Sequence, residues 1–208
     1  MRNYLVKTPR ILKAAYNQGI WHIDDDKGVY ITFDDGPHPS ITPFVLAELK
    51  KVNAKATFFC IGKNVEKYPE IFNQIIEEGH TVGNHTQNHK NGWNTSNVVY
   101  FRDILSASNK INSNLFRPPY GRIKFSQGTG IQRLIPNIKI VMWDVLSGDF
   151  DEEITAEECL NNVTQNTKAG SIIVFHDSEK AFERLEYALP NFLAHCQKQK
   201  WEMKALSL

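Results

Sequence analysis

The chain has 208 residues, 41% of them hydrophobic, which suits one domain with a substantial core. Its 24 Lys and Arg against 23 Asp and Glu leave a formal net charge of +1, a balance that argues against nucleic acid or an anionic membrane as partner. Three cysteines, Cys60, Cys159 and Cys196, are odd in number and widely spaced, so no disulfide framework is implied.

Arg2, Lys7, Arg10 and Lys13 make the N-terminus basic, but no apolar run of signal-peptide length follows, and no stretch approaches a transmembrane span. As given, the chain reads as cytoplasmic, with export or association with the envelope left open. Residues 1–28 read as an N-terminal extension packing on the main domain, residues 29–208.

The apolar run 29–33 reads as a strand ending in Asp34-Asp35-Gly36-Pro37, where Gly-Pro stops the strand and lets two carboxylates project. Thr42-Pro43 reads as a helix start, with Val45, Leu46, Leu49 and Val52 facing inward. A strand at 56–61 follows. Tyr68-Pro69 opens a second helix that buries Ile71, Phe72, Ile75 and Ile76 and stops at Gly79. After a short strand at 81–82 comes His85-Thr86-Gln87-Asn88-His89, whose spacing places both imidazoles on one face of a helical turn.

The remaining runs are strands at 115–116, 138–143, 172–175 and 201–206, with a long loop expected over 121–130. Thr155-Ala156-Glu157-Glu158 is a capping-box pattern ahead of Leu160 and Val163. The longest helical segment, 179–199, is read with a break at Pro190.

Strands that are near-continuous apolar runs and alternate with helices indicate an α/β protein with a parallel sheet. About seven strands fit a single-domain, distorted (β/α) barrel. Asp34, His85, Arg117, Asp149 and His176 each fall just after a strand, and in a parallel barrel those ends share one rim. Two imidazoles and one carboxylate suit a single divalent ion, zinc above others, with a coordination position left open. No glutamate lies between the histidines, so a base must come from elsewhere, and one of Asp34 and Asp35 would bind metal while the other handles protons.

The segments Tyr30-Ile31-Thr32-Phe33-Asp34-Asp35-Gly36-Pro37, His85-Thr86-Gln87-Asn88-His89, Arg117-Pro118-Pro119-Tyr120-Gly121 and Val174-Phe175-His176-Asp177 resemble, in order, the motifs of the polysaccharide deacetylases. This is the NodB homology domain, or carbohydrate esterase family four. The resemblance implies that Asp35, His85 and His89 hold the metal and that Asp34 is the general base. It further implies that Arg117 pairs with that aspartate, that the Tyr120 backbone N–H helps hold the oxyanion, and that His176 is the general acid. Val174 would line the acetyl pocket with Phe150 as its aromatic wall, and Thr86 would lie on the substrate side of the histidine motif.

The implied reaction is metal-dependent removal of N-acetyl groups from N-acetylglucosamine units of a chitin-like or peptidoglycan-like polymer, releasing acetate. The alternatives are deacylation of an O-acetyl ester or a non-glycan amide, and a catalytically weak glycan-binding module. The chain departs from the family at Trp143-Asp144-Val145-Leu146-Ser147-Gly148-Asp149-Phe150, where Leu146 replaces an acidic residue and Phe150 a tryptophan. Asp149 remains, to orient His176 or to brace Arg117. Trp93, near the histidine motif, could stack on a sugar or pack in a loop.

Overall fold

The structure, a computed structural model, describes residues 4–208, so Arg2 and the first three positions of the expected extension lie outside the described residues. Nine strands are present among the described residues: β1 (Gly19–Ile20), β2 (Gly28–Asp34), β3 (Thr57–Cys60), β4 (Thr81–Asn84), β5 (Leu115–Phe116), β6 (Lys139–Val141), β7 (Val145–Leu146), β8 (Ile172–His176) and β9 (Glu202–Met203). All of their pairings are parallel, in the order β1-β6-β5-β4-β3-β2-β8-β7, with β9 beside β2. The helices are α1 (Arg10–Ala15), α2 (Ile41–Lys51), α3 (Gly62–Lys67), α4 (Pro69–Glu77), α5 (Asn97–Ser108), α6 (Phe125–Leu134), α7 (Ala156–Asn166) and α8 (Glu179–Lys198).

The sheet must curl. Strands β6 and β7 are six places apart in the sheet order, about 29 Å in a flat sheet. Only Met142, Trp143 and Asp144 connect them, a link that spans about 14 Å at most. The result is the expected distorted α/β barrel, open between β1 and β7 and built of nine strands where about seven were expected. The two extra strands, β1 and β7, are two residues long.

N-terminal residues line the opening. Thr8 N–H donates to the Asp144 carbonyl, and Leu146 N–H donates to the Val6 carbonyl, so this segment pairs with the free edge of β7. Lys7 and Lys13 both reach the buried Asp144 carboxylate, which also accepts from Ser171 Oγ. On the other side β1 pairs with β6.

Alternation along the strands sorts the side chains. In β2, Val29, Ile31 and Phe33 pack outward against α2, α7 and α8 with Phe58, Ile173 and Phe175. Tyr30 faces inward with Phe59, Leu115, Val141, Ile172 and Leu206. The inward set therefore continues through Thr32 to Asp34 on β2, and through Val174 to His176 on β8, the partners being in register. All seven residues of β2 are buried, which explains a run apolar on both faces until its polar end.

Several local expectations change. The loop expected over 121–130 is mostly helix α6: Gly128 and Gly130 lower its propensity, but a Cβ there would come within 2.1 Å of Gln18 and 2.3 Å of Phe101. Packing selects these glycines. Pro190 does not break α8, whose buried face runs on through Phe192, Leu193 and Cys196. Ile76 is exposed, while Phe72 and Ile75 are buried as expected. Thr42 lies inside α2 with Ser40 at its N-cap, and its hydroxyl is used elsewhere. The Thr155–Glu158 capping box forms in both directions.

Candidate active site

Asp34 is the last residue of β2, and Asp35 leaves the strand in a left-handed conformation with φ 83°. The backbone reversal sends the two carboxylates to different neighbours. Asp34 Oδ1 accepts from Arg117 Nη1 at 2.7 Å. Asp35 Oδ1 lies 3.7 Å from His85 Nε2 and 3.2 Å from His89 Nε2. Which aspartate does what was open from chemistry alone, and the geometry divides them.

The histidine motif is not a helical turn. His85 follows β4 directly, and the chain then bends through left-handed residues Thr86 (φ 64°) and His89 (φ 54°). Asp103 on α5 fixes this loop: its carbonyl accepts from Gln87 N–H, and its carboxylate accepts from Asn88 N–H and Asn88 Nδ2 at 2.9 and 2.7 Å. Sequence reasoning missed Asp103, because exposed Val98 and Val99 blur the helical pattern of α5. Thr86 is fully buried, and its hydroxyl accepts from Lys90 N–H. It shapes the loop and presents nothing to a substrate, which corrects the expected role.

His85 Nδ1 lies 2.8 Å from the Arg117 carbonyl oxygen, which can only accept. The proton therefore sits on Nδ1, and the Nε2 lone pair faces Asp35. Burial drives the His85 pKa down to about 4 against the pull of Asp34 and Asp35, so the imidazole is neutral at neutral pH, as a metal ligand must be. Burial resists ionisation of Asp35, but the imidazoles of His89, His176 and His85 overcome it and hold its carboxyl below the usual carboxylate range.

Ligand atoms of Asp35, His85 and His89 lie within 4.8 Å of one another. Asp35 Oδ1 is buried with no hydrogen-bond donor aligned on it. A buried carboxylate oxygen 3.2 and 3.7 Å from two imidazole nitrogens, with no aligned donor, is poorly satisfied by protein alone, and a divalent cation fits it.

Arg117 follows β5 and is 0% exposed. Besides Asp34, it donates from Nη1 to Thr32 Oγ1 at 2.6 Å, from Nη2 to the Met142 carbonyl and from Nε to the Val141 carbonyl. Its guanidinium carbon stands 4.0 Å from the centre of the Phe59 ring. Burial lowers its pKa, and Asp34 opposes that.

His176 closes β8 opposite Asp34 in register. Asp149 orients it, which decides between the two roles left open for that residue: His176 Nδ1 is 2.8 Å from Asp149 Oδ1. Burial alone would lower the His176 pKa, but Asp149, with Asp35 and Asp34 beyond it, raises the value to about 10. Phe150 packs edge-on against the His176 ring, centroids 5.2 Å apart, and Tyr4 of the N-terminal segment packs on Phe150. Val174 is buried on the inner face two residues before His176.

Tyr120 has φ 61° and an exposed ring 4.6 Å from that of His89. Gly121 rests on Trp143, where a Cβ would come within 2.4 Å of the indole. Trp93 is 58% exposed, with the Arg122 guanidinium over its ring and its Nε1 donating to the Ile123 carbonyl.

Comparison with known proteins agrees with this geometry. The polysaccharide deacetylase family profile matches residues 22–130. The chain is similar to a peptidoglycan-N-acetylglucosamine deacetylase of Bacillus cereus, 34% identical over 199 residues covering 90% of each protein. A second Bacillus cereus protein of the same name is 38% identical over 156 residues, 72% of this chain, which spans 56% of that relative's length. A chitooligosaccharide deacetylase of Azorhizobium caulinodans is 36% identical over 162 residues, 74% of this chain and 75% of that one. The crystal structure of a peptidoglycan N-acetylglucosamine deacetylase bound to an N-oxidanyl-benzamide compound superposes with a TM-score of 0.82 at 33% identity, covering 88% of this chain and 87% of the other.

Proposed function

This chain belongs to the polysaccharide deacetylase family, and we propose that it hydrolyses N-acetyl groups on the N-acetylglucosamine units of a peptidoglycan-like or chitin-like polymer, releasing acetate. The observation that carries the reading is the split between adjacent carboxylates, Asp34 on Arg117 and Asp35 on the histidine pair.

Asp35, His85 and His89 would hold one divalent ion, and the two-imidazole, one-carboxylate set favours zinc. When bound, zinc supplies Lewis acidity that polarises an acyl oxygen and lowers the pKa of water.

The chain's own groups account for the rest. Asp34 lies within 3.9 Å of His85 Nε2, at the edge of the ligand cluster, and takes the proton from the attacking water. Arg117 holds Asp34 at Oδ1 and leaves Oδ2 turned toward the site. The left-handed turn at Tyr120 offers its backbone N–H to the developing oxyanion. His176, protonated and held at Nδ1 by Asp149, delivers a proton to the departing amine. Val174 and Phe150 flank the acetyl methyl.

Acetate release from a panel of acetylated glycans, with zinc-loaded and chelated protein, tests the reading. Zinc-dependent acetate from N-acetylglucosamine oligomers is expected. Acetate only from O-acetyl esters would move the assignment to the esterase reading, and none from any glycan would overturn it.

A further inference from the structure

Asp35 carries a side chain through a left-handed backbone conformation, so something outside the residue must hold it there. Both peptide groups that flank it are gripped. Asp177, the residue after the general acid, donates its N–H to the Asp34 carbonyl at 3.1 Å. Its carboxylate Oδ1 accepts from Gly36 N–H at 3.0 Å, on the other side of Asp35. Asn64, on α3, donates from Nδ2 to the Asp35 carbonyl at 2.7 Å, and Ile61 N–H donates to the Gly36 carbonyl. The peptide between Asp35 and Gly36 is thus held at its oxygen by one side chain and at its nitrogen by another.

Asp177 is itself anchored. It is buried, and Thr42 Oγ1 donates to its Oδ2 at 2.5 Å, which is why that threonine hydroxyl does not cap its helix. The fit is close enough to require glycine at position 36, where a Cβ would lie 2.0 Å from Asp177 Oδ2.

We propose that Asp177 and Asn64 are positioning residues for the metal, gripping the Asp35–Gly36 peptide from its two ends so that Asp35 Oδ1 is aimed between His85 and His89. The inference rests on the metal reading of those three residues. Neither Asp177 nor Asn64 belongs to the ligand cluster, and both act through the peptide groups that flank Asp35. A ligand aimed in advance loses less freedom on binding, and partners of this kind typically change metal affinity about 10- to 100-fold when removed.

Two measurements on the full chain test this. The first is zinc affinity by chelator competition, where Asp177→Ala and Asn64→Ala should each weaken binding about 10- to 100-fold. Asp177→Asn should recover most of the loss, since an amide oxygen still accepts from Gly36 N–H. The second is hydrogen exchange at the Gly36 amide in metal-free protein, which should quicken at least tenfold in Asp177→Ala and stay slow in Asp177→Asn. Unchanged zinc affinity with unchanged Gly36 exchange would overturn the proposal. So would an Asp177→Asn variant as weak as Asp177→Ala. Should Asp177→Ala fail to fold, Asn64→Ala and Asp177→Asn carry both measurements. A wild-type chain that takes up no zinc would sink the metal reading, and the exchange result would still decide whether Asp177 clamps Asp35.

Discussion

His176 and Asp149 are joined twice: the ring Nδ1 lies 2.8 Å from Asp149 Oδ1, and the His176 backbone N–H donates to Oδ2 at 2.7 Å. An imidazole held this way keeps its orientation and turns Nε2 toward the site. Against the effect of burial, Asp149 is the largest influence that raises the His176 pKa to about 10.

The sign of the pH dependence follows. A raised pKa keeps the acid protonated through neutral pH, and the rate it supports falls only as pH climbs toward about 10. The stability drawn from the pair is complete below the unfolded value of about 6.5 and is lost over the same climb. Asp149→Asn removes the charge but keeps an acceptor for Nδ1–H. The alkaline limb of kcat/KM should move to lower pH by about one unit or more, with turnover down about 10²-fold. A limb that stays in place would remove His176 from the acid role.

Arg117 is a different kind of dependence, because its three nitrogens all donate to buried acceptors and its flat face covers Phe59. A lysine ammonium cannot reproduce that fork. Arg117→Lys should retain the fold yet lose about 10²-fold or more in turnover. Arg117→Ala leaves Asp34 buried and unpaired, and should cost about 3–5 kcal/mol in denaturant unfolding. Near-normal turnover in Arg117→Lys would show that Asp34 needs only a positive charge nearby.

How much of this was legible in the sequence depended on the range of the signal. Strand β2 could be read because seven consecutive buried residues leave an apolar run that ends abruptly in two aspartates. The rim of polar residues could be read because each one follows such a run. The conformation of the histidine motif could not, since a spacing of four fits a helical turn as well as it fits the bent loop that Asp103 holds from 15 residues away. Asp177 stood beside His176 in plain view, but its role depends on contact with Gly36, which lies 141 positions earlier. Partners that act through another residue's backbone leave no local pattern.

The metal site separates two aspartates that differ by one position. Chelation should abolish acetate release, and added zinc should restore it. His85→Ala and His89→Ala should each lose zinc severely while keeping the fold. Asp34→Asn should bind zinc as the wild type does and still lose about 10²- to 10⁴-fold in turnover, since an amide cannot take a proton at neutral pH. Metal analysis beside kinetics checks all three. Undiminished zinc in both histidine variants would send the search for ligands elsewhere, and a fully active Asp34→Asn would make some other group the base.

The acyl pocket tests whether the departures from the family pattern change selectivity. Val174 is buried on the inner face beside the register pair Asp34 and His176, and Phe150 packs edge-on against His176 with Tyr4 behind it. If Val174 and Phe150 bound the acyl group, a chain longer than acetyl must displace the ring that packs on His176. Overfilling a packed site costs about 1–3 kcal/mol, so N-acetyl glucosamine oligomers should exceed N-butyryl oligomers of equal length about tenfold or more in kcat/KM. Val174→Ala removes two methyl groups from one wall and should narrow that ratio, whereas Tyr4→Ala, acting on Phe150 from behind, should narrow it less. Equal values for the two acyl groups in the wild type would show an open pocket, and the enzyme would then be a broad deacylase whose specificity comes from the sugar.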